Sequence, residues 1–173
     1  MKSKRLKIDL KRFAPFVVAV LLAGGLISFW LWQAQSRPEG LSVYFVKGDQ
    51  LIAVNRPIKA DVPLLEQALA ALLAGPSEDE RGRGMTTHIP AGVKVKHIKL
   101  ERKMAIIDLS RELENYGGGS ARLEGMIAQI VYTMTGVPGI DKVWIWVEGE
   151  KEVVLGGEGF VLDRPLGRQD LGN

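Results

Sequence analysis

The stretch 120–149 constrains this chain more than any other. Its first half places Leu123, Met126, Ile127, Ile130, Val131 and Met134 at i, i+3, i+4, i+7, i+8 and i+11, one stripe of an α-helix. Ser120 stands where an N-cap belongs, and Gly136 with Pro138 stands where the helix should stop. Its second half, Val143-Trp144-Ile145-Trp146-Val147, is a β-branched and aromatic run ended by Gly149. A helix that buries one stripe needs a partner surface, because packing rather than propensity stabilises it. The following strand is the nearest candidate, so the stretch predicts a helix that turns back onto a sheet.

The sequence before it predicts a hairpin, a second amphipathic helix and a further pair of strands. Residues 41–58 alternate around the turn Lys47-Gly48-Asp49-Gln50 and read as a hairpin, with Pro57 making the second strand an edge or a short one. Asp61 is placed to cap a helix and Pro63 to open it. Leu64, Leu65, Ala68, Leu69, Leu72 and Leu73 form its stripe, and Gly75-Pro76 closes it. The charged stretch 77–84, with Glu78, Asp79 and Glu80, reads as a surface loop. Over 93–100, Val93 and Val95 share one parity while Ile98 and Leu100 share the other, which predicts a bulge near Lys96-His97. Glu101-Arg102-Lys103 is a tight turn into the strand 104–109, where Ala105, Ile107 and Leu109 share a side. Residues 110–116 read as one helical turn, broken by Gly117-Gly118-Gly119. Val153-Val154-Leu155 follows the last turn, and Phe160, Val161, Leu162 and Leu166 are possible docking points in a Gly-rich tail. The order ββαββαββ predicts an α+β fold: one small, mainly antiparallel sheet with both helices on one face.

The domain plan is a basic leader (1–13), a transmembrane helix (14–32), a linker (33–40), the folded domain (41–156) and the tail (157–173). From Ala14 to Trp32 no residue is charged. At 1.5 Å per residue such a helix spans about 28 Å, close to the ~30 Å of a bilayer's hydrocarbon core. The basic flank places the N-terminus in the cytoplasm and the folded domain outside it, and Trp30 and Trp32 sit where an interfacial aromatic belt belongs. The competing reading is a cleaved signal peptide, with Ala34 and Ser36 at the cleavage positions. The length of the apolar run and its terminal tryptophans favour a retained anchor in the cell membrane.

Charge follows the same division. Residues 1–12 carry six basic residues and one acidic residue, whereas residues 13–173 carry 17 basic and 19 acidic. A nucleic-acid surface would need its basic residues on the folded part, and the balance argues against one. Without cysteine there is no disulfide, no thiolate metal site and no lipidated N-terminal cysteine.

No catalytic constellation emerges. His88 and His97 are the only histidines and lack metal-binding spacing. Ser110 and Ser120 lie in no nucleophile elbow. Asp108 reads as a turn ligand. Glu78-Asp79-Glu80 lacks the alternating oxygen ligands of a calcium loop, and the triple glycine lacks the rest of a phosphate loop. No cofactor, metal or catalytic residue is expected. Trp144 and Trp146 stand apart. If Val143, Ile145 and Val147 face the helices, both indoles lie on the opposite sheet face, as an apolar contact surface unless the tail folds over them.

Five short motifs then carry a resemblance: Leu72-Leu73-Ala74-Gly75-Pro76, Thr87-His88-Ile89-Pro90-Ala91-Gly92, Ile107-Asp108-Leu109-Ser110, the run from Gln129 to Thr135, and Val143-Trp144-Ile145-Trp146-Val147-Glu148-Gly149. In this order they resemble the GerMN ("germane") domain of sporulation and spore-germination proteins. The resemblance covers about residues 43–155. It implies an extracytoplasmic module without enzymatic activity, with two helices on a small sheet, similar to the ring-building modules of secretion machines. Many relatives are lipoproteins with a lipobox cysteine and some carry two copies of the domain; this chain has one copy and an apolar segment. The expected role is an interaction or assembly module in sporulation or germination. Its expected partners are the lipid bilayer and either an envelope protein or a second copy of itself. The alternative is a module that binds peptidoglycan or another cell-wall glycan through Trp144 and Trp146.

Overall fold

The computed structural model describes residues 40–155 and 160–171. The leader, the apolar segment 14–32 and all but the end of the linker lie outside the described residues. Among the described residues no helix is long and apolar enough to cross a membrane.

Strands β1 (Leu41–Lys47) and β2 (Gln50–Arg56) form the expected hairpin, and Pro57 falls just beyond it. Helix α1 (Leu64–Ala74) buries Leu65, Ala68, Leu69 and Leu72, with Leu64 and Leu73 packed at the margin. Its start differs from the expectation. Pro63 occupies the cap position, and Asp61 does not cap the helix. No side chain caps this end; Gln67 ties down the preceding segment, its amide donating to the carbonyls of Lys59 and Val62 and its oxygen accepting from the Lys59 N–H.

The charged stretch after α1 is not a loop. Glu78–Gly82 forms a short helix, α2, opened by a capping box in which Ser77 and Glu80 satisfy each other's backbone N–H groups. Glu80 also takes a two-pronged hydrogen bond from Arg56, 2.6 Å on each prong, and so fastens α2 to the first hairpin. That contact holds the Glu80 carboxyl down to about 2, with the Ser77 N–H adding to the effect.

Strands β3 (Val95–Glu101), β4 (Met104–Leu109) and β5 (Lys142–Val147) form the central sheet, in that order. The β3–β4 register shifts between Val95 and His97, where the parity switch predicts a bulge. A 3-10 turn (Arg111–Asn115) leads to helix α3 (Ser120–Met134). All six residues of its predicted stripe are buried. Gly119, not Ser120, holds the cap position, and no side chain caps this end.

The expectation of one mainly antiparallel sheet is corrected in two respects. Strand β5 runs parallel to β4. Parallel neighbours need a crossover, and α3 supplies it. The strands also divide into three sheets: β1–β2, β3–β4–β5, and a small hairpin of β6 (Val153–Leu155) and β7 (Phe160–Leu162). A single sheet is not needed because α3 packs on β1, α1 and β5 together, so one helix joins the core beneath two sheets. Leu162 and Leu166 enter that core as docking residues, and Leu166 bridges Val143 at the edge of β5.

Candidate interaction surfaces

Directly paired residues of neighbouring strands share a face, so the register assigns every side chain of the central sheet. The core face carries Ala105, Ile107 and Leu109 of β4 against Val143, Ile145 and Val147 of β5. The outer face carries Lys99, Ile106 and Trp144 in one row and His97, Asp108 and Trp146 in the next. Trp144 and Trp146 therefore lie opposite the core. Their rings meet edge to face at 5.5 Å. Neither is fully exposed: both are half-buried, and both indole N–H groups are buried without a partner. The Lys151 ammonium lies 5.0 Å above the Trp146 ring, a cation–π arrangement. Of the tail's apolar residues, Leu162 and Leu166 belong to the cluster that holds Val143 and Ile145, Phe160 packs against that cluster, and Val161 is exposed.

The second surface is a groove of 890 Å³ between the β1–β2 hairpin and α3, lined by Tyr44, Leu51, His88, Gly125, Tyr132 and Phe160. Gly125 lets the His88 ring lie against the helix backbone. A Cβ there would stand 2.3 Å from His88 Nδ1, closer than atoms can approach. Burial lowers the His88 pKa and the nearby Arg122 charge lowers it further. Across the groove Tyr44 and Tyr132 pack at 5.4 Å, and the Arg168 guanidinium covers both rings while bonding Thr135 Oγ1 and the Tyr132 carbonyl.

The groups that chemistry would require are engaged in holding the backbone. Asp108 Oδ1 accepts from the Gly149 N–H at 2.9 Å, which pins the turn after β5. In that turn Glu148 and Gly149 both take positive φ, as a tight two-residue reversal demands. Glu148 is held by Lys96 and by the Arg111 N–H. The buried Ser110 hydroxyl accepts from the Lys94 N–H at 2.9 Å. His88 and His97 are not brought together: His88 lies in the groove against α3, and His97 sits exposed on β3 opposite Asp108. Glu78 and Asp79 are exposed on α2. Among the described residues no cluster of three potential metal ligands occurs.

Sequence reasoning passed over one pair of residues. Gln129 and Thr133 on α3 are completely buried. Thr133 Oγ1 accepts from the Tyr44 N–H at 3.0 Å, and the Gln129 amide donates to the Tyr44 carbonyl at 3.0 Å. Gln129 Oε1 also accepts from the His88 N–H at 2.7 Å. Two strand residues further on, Val46 exchanges both backbone hydrogen bonds with Thr86. The outer edge of β1 is thus closed by helix side chains and a loop. The i, i+4 spacing of two polar residues beside an apolar stripe is the available signal.

The family profile for sporulation and spore germination, Germane, matches residues 42–153. The fold matches the first GerMN domain of the sporulation protein GerM from Bacillus subtilis, with a TM-score of 0.63 at 22% identity, covering 76% of this chain and 98% of that domain. The tandem GerMN domains of the same protein match with a TM-score of 0.61 at 19% identity, covering 76% of this chain and 46% of the tandem. A Clostridium perfringens protein described as a "Putative Lipoprotein" matches with a TM-score of 0.56 at 27% identity, covering 76% of this chain and 88% of its own. No match is found among curated proteins. The order of the motifs, the packing of α3 and the extent of the match agree, and the chain belongs to the Germane (GerMN) family of sporulation and spore germination.

Proposed function

We propose that this protein is a non-enzymatic assembly module, held at the cell membrane by its apolar segment 14–32 with the folded domain outside the cytoplasm, and acting in sporulation or spore germination. The family membership supports the process. The observation that carries the mode of action is the outer face of the central sheet. Two indoles lie there in edge-to-face contact on the side turned away from the core. Aromatic side chains on such a face are typical anchors of protein contacts.

The test places a photocrosslinking residue in turn at Trp144 and at Trp146 in the full-length protein, in sporulating cells. The reading expects a discrete crosslinked protein product at these positions, reduced by Trp144→Ser and Trp146→Thr in variants that keep the wild-type thermal unfolding. Crosslinking no different from that at an exposed α2 position such as Asp79 contradicts it. The alternative, a glycan-binding module, uses the same rings as stacking platforms. It is the weaker reading because the Lys151 ammonium already covers the Trp146 ring. Sedimentation of the protein with purified cell wall would support it, and its absence would remove it.

A further inference from the structure

We propose that the outer edge of β3 receives an extended acidic segment of a partner protein, which adds to the central sheet as a fourth strand. The proposal rests on the assembly reading above and names the chemistry of the partner.

The two edges of the central sheet are unlike. On the β5 side Val143 exchanges backbone hydrogen bonds of 2.8 Å with Leu166, so the C-terminal residues occupy that edge. On the other side β3 pairs with β4 alone, and no described residue pairs with its outer side. A bare strand edge presents unpaired N–H and C=O groups and is a template for a further strand. Here it also presents apolar side chains: Leu100 is 53% exposed and Val95 40% exposed. Beside it lies a groove of 320 Å³ lined by Pro63, Leu64, Ile98, Leu100, Val137 and Ile140. Alternate apolar side chains of an added strand would extend the row of Ile98 and Leu100 into that groove.

Charge identifies the occupant. Residues 94–103 hold Lys94, Lys96, Lys99, Arg102 and Lys103 against the single acid Glu101, in a folded part where acids otherwise outnumber bases. Lys96 pairs with Glu148, Lys99 with Glu101 and Lys103 with Asp141. Lys94 and Arg102 form no ion pair among the described residues. A second copy of this chain docked edge to edge would set this basic segment, with the unpaired Lys94 and Arg102 at its ends, against another of the same sign, and like charges across strands are destabilising. An acidic strand meets the same segment with attraction. The lysines thus discourage pairing between copies while admitting a partner of opposite sign.

The experiment uses the full-length protein in detergent and a labelled synthetic octapeptide alternating glutamate with valine or leucine. Two control peptides replace glutamate by lysine or carry N-methyl groups on alternate amides. Anisotropy reads binding, hydrogen exchange reads protection at residues 95–101, and sedimentation reads the oligomeric state. The acidic peptide is expected to bind at least about tenfold more tightly than the lysine peptide, the sum of a few cross-strand charge pairs. It is expected to slow exchange in β3 and to lose binding on N-methylation along one edge. Lys94→Glu with Arg102→Glu, two exposed and unpaired positions, is expected to reverse the peptide preference. The proposal is overturned by absence of binding, by binding indifferent to N-methylation, or by self-association through β3 that the peptide does not displace. Persistence of the Trp144 and Trp146 crosslinks in cells alongside a β3 edge that ignores the peptide would sink this inference and leave the assembly reading standing. Loss of the crosslinks as well would sink both.

Discussion

Strands β1 and β3 each have a neighbour on one side and none of regular β-structure on the other, yet the fold treats the two edges in opposite ways. At β1 the outward N–H and C=O of Tyr44 are taken by Thr133 and Gln129, and those of Val46 by Thr86. At β3 nothing among the described residues does this work. The difference follows from burial. The edge of β1 faces α3 inside the core, where an unpaired backbone group costs about 1–3 kcal/mol, so buried polar side chains must meet it. The edge of β3 faces water, which satisfies the same groups without help. Closure of an edge is therefore a stability device here, and openness marks the surface still free to pair.

Substitutions can break that contrast. The largest effect is expected at Gln129. Gln129→Leu keeps the size roughly but strands the Tyr44 carbonyl and the His88 N–H, and should cost about 2–4 kcal/mol in urea unfolding. Thr133→Val is nearly isosteric and strands only the Tyr44 N–H, so about 1–3 kcal/mol is expected by the same measurement. Gly125→Ala sets a methyl group against the His88 ring and must displace it, which should lower the unfolding midpoint and reshape the groove, seen as changed His88 and Tyr44 NMR shifts. At the β3 edge, by contrast, Leu100→Thr should change stability by no more than about 0.5 kcal/mol, because the residue is mostly in water. Equal losses at Gln129 and Leu100 would break the comparison outright.

Acid sharpens it. His88 has its pKa lowered in the folded state, so the unfolded chain binds the proton more readily. Stability is present above the ordinary value of 6.5 and falls as the pH drops below it. Glu80 is lowered from 4.5 to about 2, so its contribution is present above pH 4.5 and is lost as the pH falls toward 2. The pair with Arg56 is partly open to solvent, with side chains 23% and 13% exposed, so about 1–2 kcal/mol is the expected size. Urea unfolding across pH 2–7 should show both losses, and Glu80→Gln should remove the lower one.

The elements legible in the sequence were those whose signal is local. The six apolar residues of α3, the first hairpin and the β3 bulge each follow from periodicity within one segment. The short helix α2 was legible too, since Ser77 and Glu80 spell a capping box, but its acidity suggested a loop. Asp61 and Ser120 carry the right chemistry for caps, yet Pro63 and Gly119 hold those places and no side chain caps either helix. What local pattern does not contain is pairing. The parallel register of β4 and β5 depends on where α3 carries the chain. The roles of Gln129 and Thr133 depend on which strand lies opposite them. Trp144 and Trp146 fall on the outer face as alternation requires. Their partial burial arises from neighbours such as Lys151, which no alternation pattern encodes.

Native-state hydrogen exchange tests the contrast between the edges most directly. The account predicts that the Tyr44 and Val46 amides exchange only through global unfolding. Those β3 amides that point away from β4 should exchange faster by orders of magnitude until an acidic strand is added. Protection of the β3 outer amides equal to that of Tyr44, in the protein without a partner, would contradict it.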